Sequence, residues 1–304
     1  MATAVGQRSS DSLVPDSASE PWLSVVIGSH ASSGALEACL TGLYSQREGT
    51  EVVVCEARRS SPSFRRRFAW ARFIHRPGLL VPELWREGID GSRSQVVALT
   101  NSTMTPSPDW VATIRAWHER YDAVAGAIEP GSRLRLSDWA EYFCRYAPDM
   151  LPFVGHPCPD LPGDNASYKR KLLEQAHDLY RDGFWEPVVH RWLAGEGVLL
   201  WHAPDLVVHQ ERSAGPAAFT RQRLVHGRAH GRQRGAGFGA ARNVAGVLAA
   251  PLVAPLITSR ILRQVSRRRR LRGRAALALP LTFAFNVAWA AGEAAGHLDA
   301  LRRR

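Results

Sequence analysis

Val96–Trp110 reads VVALTNSTMTPSPDW. Gln95–Leu99 predicts a strand. Its apolar residues do not alternate with polar ones, as in a strand buried on both faces. The run gives way to Thr100, Asn101, Ser102 and Thr103 and then to Pro106 and Pro108, so the strand runs out into a polar loop and a turn. A helix is predicted over Asp109–Tyr121. Strand, loop and helix make one unit of a sheet covered by helices, and the flanking sequence repeats it.

Upstream, Trp22–Ile27 (WLSVVI) is a short apolar run closed by Gly28-Ser29-His30. Ala35–Tyr44 has apolar residues at helical spacing, and Glu51–Cys55 (EVVVC) is a second strand ending at Glu56. A basic segment, Arg58–Arg76, leads to a helix expected after Pro82. Downstream, Ala123–Ile128 (AVAGAI) is a further strand. Strands alternating with helices predict an α/β fold, a mostly parallel sheet flanked by helices. Ligands of such sheets bind at the carboxyl ends of the strands. Gly28–His30, Glu56 and Thr100–Ser102 are therefore expected to converge on one crevice. The pattern weakens from Ser132 to Pro162. GDNASYKR (163–170) then reads as a polar turn leading into a helix, Trp185–Ala194 as a helix with Pro187 in its first turn, and Leu199–His209 as two short strand-like pieces.

Charge divides the chain. Residues 1–210 carry 21 Lys+Arg against 25 Asp+Glu, a net −4, whereas residues 211–304 carry 18 Arg against three acids, a net +15. An acidic body is joined to a basic tail, which suits an anionic partner. The four cysteines, Cys39, Cys55, Cys144 and Cys158, form no CxxC pair, so neither a disulfide scaffold nor a zinc site is indicated. Residues 1–20 are rich in Ser, Asp and Pro, and disorder is expected there. The expected organisation is a disordered 1–20, an α/β domain over 21–235 and a basic, apolar helical region over 236–304.

LSVVIGSH, EVVVCEA, PGLLVPELWREGI, VVALT, GDNASYKR and FWEPVVHRWL, in this order and spacing, resemble the family 2 glycosyltransferases with the GT-A fold. The likeness runs from about Trp22 to about Arg234. LVHGRAHGRQRG (224–235) is similar to a basic segment that follows the catalytic domain in some members, and WAAGEAAGHL (289–298) to a membrane-proximal ending. The resemblance implies an inverting transferase that moves a sugar from a nucleotide-sugar donor to a glycan or lipid-linked acceptor in cell-envelope synthesis. It implies donor binding by Gly28, Ser29, His30, Glu56, Thr100, Asn101 and Ser102. Asp164, Asn165, Lys169 and Arg170 would lie on the acceptor and leaving-group side. Glu186 would be the base that takes the acceptor hydroxyl proton; one carboxylate suffices, unlike the pair of a glycosidase. His190, four residues on, shares its helical face, as a partner of Glu186 or as a surface residue.

The departure from the family lies at the end of VVALT. Metal-dependent members place carboxylates there, because Mg2+ or Mn2+ on a diphosphate prefers hard, charged oxygens. Here the first carboxylate is Asp109, better suited to starting a helix. Three outcomes are open. A metal is held by Asn101, the diphosphate and His209; or Arg or Lys meets the diphosphate charge; or catalysis is lost and the chain is a binding or assembly subunit at the membrane.

Val244–Ser259 is sixteen residues without charge, Ala275–Gly292 is eighteen, and Arg260–Arg274 between them holds eight arginines. Each run is at or below spanning length and contains proline, and Arg flanks both, so no crossing direction is indicated. Helices lying in the interface of an anionic membrane surface, or a re-entrant hairpin, at the cytoplasmic face fit this pattern. A hairpin packed on the body is the alternative. Nucleic acid is not the expected partner, because the arginine segment lacks aromatic residues for base stacking.

Overall fold

The computed structural model describes residues 20–30, 33–131, 135–211 and 214–302. The segment expected to be disordered lies, but for residue 20, outside the described residues. In chain order the elements are β1 (Leu23–Ser29), α1 (Ser33–Tyr44), β2 (Thr50–Glu56), α2 (Pro62–Arg67), β3 (Arg72–His75), α3 (Val81–Gly91), β4 (Val96–Asn101), β5 (Met104–Pro106), α4 (Trp110–His118) and β6 (Ala123–Pro130). There follow α5 (Leu136–Tyr146), β7 (His156–Pro157), β8 (Asn165–Lys169), α6 (Arg170–Gln175), a 3₁₀ turn at His177–Tyr180, α7 (Glu186–Gly195), β9 (Leu200–Gln210), α8 (Pro216–Ala236), α9 (Ala240–Leu248), α10 (Ala250–Arg268) and α11 (Arg272–Arg302).

The strands form one sheet in the order β3-β2-β1-β4-β8-β6-β9-β5, with β7 on β9. β3, β2, β1 and β4 pair in parallel, as do β6 and β9, while β8 runs antiparallel between β4 and β6. The sheet is therefore mostly parallel, as the sequence predicts. β1 is buried along its whole length. Val25 and Ile27 face one apolar cluster, with α1, α4 and α5, whereas Val26 faces the other, with α3, β8 and α7. Covering both faces is what requires the unbroken apolar runs.

Several local expectations are corrected. GDNASYKR is not a turn before a helix: Asn165–Lys169 is strand β8, zipped to Thr100–Val96. The basic segment 58–76 holds α2 and β3. Leu199–His209 is one strand, β9, carried past Pro204 by a register shift between Gly126 and Ala127 of β6. Helix α5 fills the stretch where the pattern weakened.

The two uncharged runs become α9–α10, bent by 64° at their junction, and α11. Among the described residues α11 is the helix long and apolar enough to cross a membrane. It packs on α8 with the backbones in close approach: a Cβ on Gly227 or Gly231 would overlap the Trp289 or Glu293 carbonyl, and one on Gly292 or Gly296 would overlap that of Leu224 or Arg228. The apolar cluster over α5 continues into Ile261, Val265 and Phe285. Arg268 reaches the carbonyls of Pro148 and Met150, and Arg270 pairs with Glu129 at 2.5 Å.

Candidate active site at the strand ends

β1 and β4 end side by side, with Gly28 opposite Asn101 and the Ser102 amide donating to the Gly28 carbonyl at 3.1 Å. Above them opens a crevice of about 810 Å³, walled by Gly28, His30, Asn101, Ser102 and Thr103, by Arg58, by Glu141 and Arg145 of α5, and by Arg221 and His226 of α8. Gly28 is a glycine because of α3: a Cβ there would lie 3.0 Å from Val81 and 3.2 Å from the Trp85 indole nitrogen. That indole donates to the Thr100 carbonyl at 2.7 Å, fixing the end of β4.

Antiparallel β8 brings Asp164, far away in sequence, to the end of β4. Thr100 Oγ1 donates to the Asp164 carbonyl at 2.9 Å, and the Asn101 amide donates to the Asp164 carboxylate. The other carboxylate oxygen accepts from Tyr146 Oη, and Arg145 stands 3.7 Å away. The Asn101 Oδ1 is also taken, by the Thr103 backbone N–H at 2.7 Å and its hydroxyl at 2.6 Å.

Glu186 opens α7. It lies directly against Gly163, where any Cβ would overlap its carboxyl group, so Gly163 is what lets it close on the β8 turn. Its side chain keeps partial access to solvent, yet its pKa is pushed up to about 8, by burial first and then by the carboxylates of Asp164 and Asp160. The preceding Trp185 ring lies 6.4 Å from His226 on the crevice wall, edge to face. Burial, with Arg145 and Arg223 nearby, lowers the His226 pKa to about 4, and burial likewise lowers that of His30, so both are neutral near pH 7.

Other residues singled out in the sequence are placed differently. Glu56 is fully buried beside Ser29, its carboxylate held by Arg65 and by Ser60 through its N–H at 3.0 Å and its hydroxyl at 2.6 Å. Asn165 is turned inward: Trp110 Nε1 donates to it at 2.8 Å, and it donates to the Ala127 and Leu206 carbonyls at 2.9 and 3.0 Å. It staples β8, β6 and β9 and does not face the crevice. Lys169 and Arg170 lie at the other end of β8, about 13 Å away at the rise of a strand. There Lys169 pairs with Asp122 at 2.7 Å, and Arg170 donates to the Ser94 carbonyl at 2.6 Å. His190 is not a surface residue. It is buried between Asp160 and the Tyr168 hydroxyl, 2.7 Å from the latter.

A divalent metal does not fit this donor set. The Asn101 amide oxygen at the end of β4 already accepts from Thr103, the Asp164 carboxylate already accepts from the Asn101 NH2 and Tyr146, and a guanidinium stands beside that carboxylate. His209 sits on β9 opposite Thr105 and next to Glu129. Among the described residues no three His, Cys, Asp or Glu side chains group as metal ligands.

Arg58, Glu141, Arg145 and Arg221 escaped the sequence reading. α5 did carry a signal: Leu136, Trp139, Phe143 and Tyr146 recur at helical spacing behind Asp138 in the first turn.

No family model matches the sequence, and no curated protein does either. Solved structures do. The mannosyltransferase PcManGT from Pyrobaculum calidifontis, solved in complex with GDP-Man and Mn2+, aligns with a TM-score of 0.53 at 19% identity, over 90% of this chain and 87% of that one. TarS from S. aureus, residues 1–349, aligns with a TM-score of 0.45 at 12% identity, over 67% and 64% of the two chains. The likeness to the mannosyltransferase covers most of both chains, and it gives this chain a glycosyltransferase fold.

Proposed function

We propose that this chain is an inverting glycosyltransferase of the family 2, GT-A type that binds a nucleotide-sugar in the crevice above β1 and β4. It transfers the sugar to a glycan or lipid-linked acceptor of the cell envelope. The observation that carries this reading is Glu186, a carboxyl crowded against Gly163 beside Asp164, with its proton affinity raised to about pH 8. As the acceptor oxygen bonds to the anomeric carbon, Glu186 takes the hydroxyl proton. The bond from that carbon to the diphosphate oxygen breaks, and its electron pair leaves with the nucleoside diphosphate. The base is competent only when ionised, so the transfer rate rises with pH and levels off above about 8. Replacing Glu186→Gln lowers turnover about 100-fold or more, within the usual range for a general base, and leaves donor affinity unchanged by calorimetry. Turnover at the wild-type rate would sink the assignment.

The region over 236–304 is the membrane-associating part of this reading. α11 buries Thr282, Asn286, Glu293 and His297 alongside Phe285 and several alanines, while Leu277, Pro280, Phe283, Val287, Ala291 and Leu298 are exposed. Leu248, Leu252 and Leu256 extend the exposed apolar surface onto α9 and α10, and Arg260, Arg263 and Arg267 follow on the open side of α10. An apolar face beside arginines suits the anionic cytoplasmic surface of a membrane, where a lipid-linked acceptor would be met.

A further inference from the structure

We propose that arginines, not a divalent metal, hold the diphosphate of the donor: Arg58 from the loop after β2, Arg145 from α5 and Arg221 from α8. The inference rests on the donor-binding reading above. The three guanidinium groups line one crevice from three separate elements, with Glu141 as the carboxylate among the lining residues. With Arg145 shared between Glu141 and Asp164, Arg58 and Arg221 are the two positive charges of the wall that meet no carboxylate among the described residues, against the two negative charges on the phosphates of a nucleotide-sugar. Arg145 is tied to Glu141 and Asp164, at 3.7 Å from each, so its head is held beside the end of β4. Arg58 and Arg221 form no ion pair among the described residues and are free to take up an anion. A planar guanidinium offers paired N–H donors that match phosphate oxygens.

The polar end of β4 acquires a second meaning on this view. Where a metal site would offer free carboxylate oxygens, Asn101 and Asp164 close on each other, and Asp164 orients Arg145. The carboxylate serves the guanidinium, and the guanidinium serves the phosphate. His226, on the same wall, adds a neutral imidazole.

The test is calorimetry of GDP, UDP and inorganic pyrophosphate on the full chain, in EDTA and again with Mn2+ or Mg2+. The expected result is binding of a nucleoside diphosphate in EDTA, with an affinity that metal changes by no more than about twofold. Arg58→Gln and Arg221→Gln each weaken it about tenfold, as loss of a charge-assisted contact does. Each variant loses much less for the corresponding monophosphate. Binding that demands Mn2+ or Mg2+ overturns the inference and leaves the donor reading standing, as does wild-type affinity in both variants. Absence of binding for every nucleotide in both conditions overturns the two together.

Discussion

The sheet body and the C-terminal helices differ in what they leave exposed. In the body Val25, Ile27 and Leu99 are fully inside, and the polar groups that are buried (Asn165, Thr100, Asp164) are satisfied by named partners. In α11 the inward side carries Thr282, Asn286, Glu293 and His297 among alanines, glycines and Phe285, and the outward side carries leucine, phenylalanine and valine. Water selects the first arrangement, because burial of apolar area is favourable at roughly 25 cal/mol per Å². The second would squander that gain unless something apolar covered the outer face. Yet the helices are not a loose appendage. Phe285, Ile261 and Val265 belong to the same cluster as Val25 and Ile27, and glycines let α11 lie directly on α8. The tail is welded to the body on one side and unlike it on the other.

Separating the two regions is the strongest way to break this contrast. Gly231→Leu would thrust a side chain into the Glu293 backbone. It costs about 3 kcal/mol of stability, the upper end of ordinary overpacking, and lowers the denaturant midpoint while Gly239→Ala, which meets nothing, leaves it in place. An unchanged midpoint in the leucine variant would mean that α8 and α11 do not hold each other.

The outward face is tested by Leu252→Glu with Leu277→Glu, both more than half exposed. Co-sedimentation with vesicles containing anionic lipid falls about tenfold or more, because two apolar contacts are lost and two repelled charges gained. Thermal stability stays near that of the parent. Vesicle binding that persists at the parent level would mean that this face is covered by something other than lipid.

A smaller effect sharpens the junction itself. Asp149 sits where Arg268 of α10 reaches the carbonyls of Pro148 and Met150. Burial pushes its pKa up to about 8, against the pull of Arg268. A carboxyl whose folded pKa is raised keeps its proton in the native state after the unfolded chain has released it. Its contribution is therefore full below about pH 4 and is lost as pH rises towards 8. His202, 3.7 Å away, has a pKa lowered to about 4 by burial, so between pH 5 and 7 the two meet as neutral groups. Asp149→Asn makes the melting temperature less dependent on pH between 5 and 8. A parallel decline in both proteins would mean that Asp149 is ionised in the fold.

Much of this was legible in the chain. The unbroken runs LSVVI, EVVVC and VVALT are long enough for strands and too apolar for any exposed position, so a covered, mostly parallel sheet follows from burial alone. Gly28, His30, Asn101 and Ser102 were expected to meet because strand ends of one direction share one edge, and they do. Charge along the sequence also marks the C-terminal third as basic, since composition is a local property.

Pairing is not local, and there tertiary structure decided. The direction of β8 sends Asp164 to the crevice and Lys169 and Arg170 to the far edge, and five residues of sequence carry no record of which neighbour they will join. The same holds for Arg145 and Arg221. Arg145 lies in a stretch where the sequence pattern weakens and Arg221 just before the basic segment, and neither marks the crevice until α5 and α8 are folded over the ends of β1 and β4. The sequence by itself determined which residues had to be buried and that the strand ends would form a polar edge. Only the tertiary structure decided which charges stand at that edge, because electrostatic partners are chosen by distance in space and not by spacing in the chain.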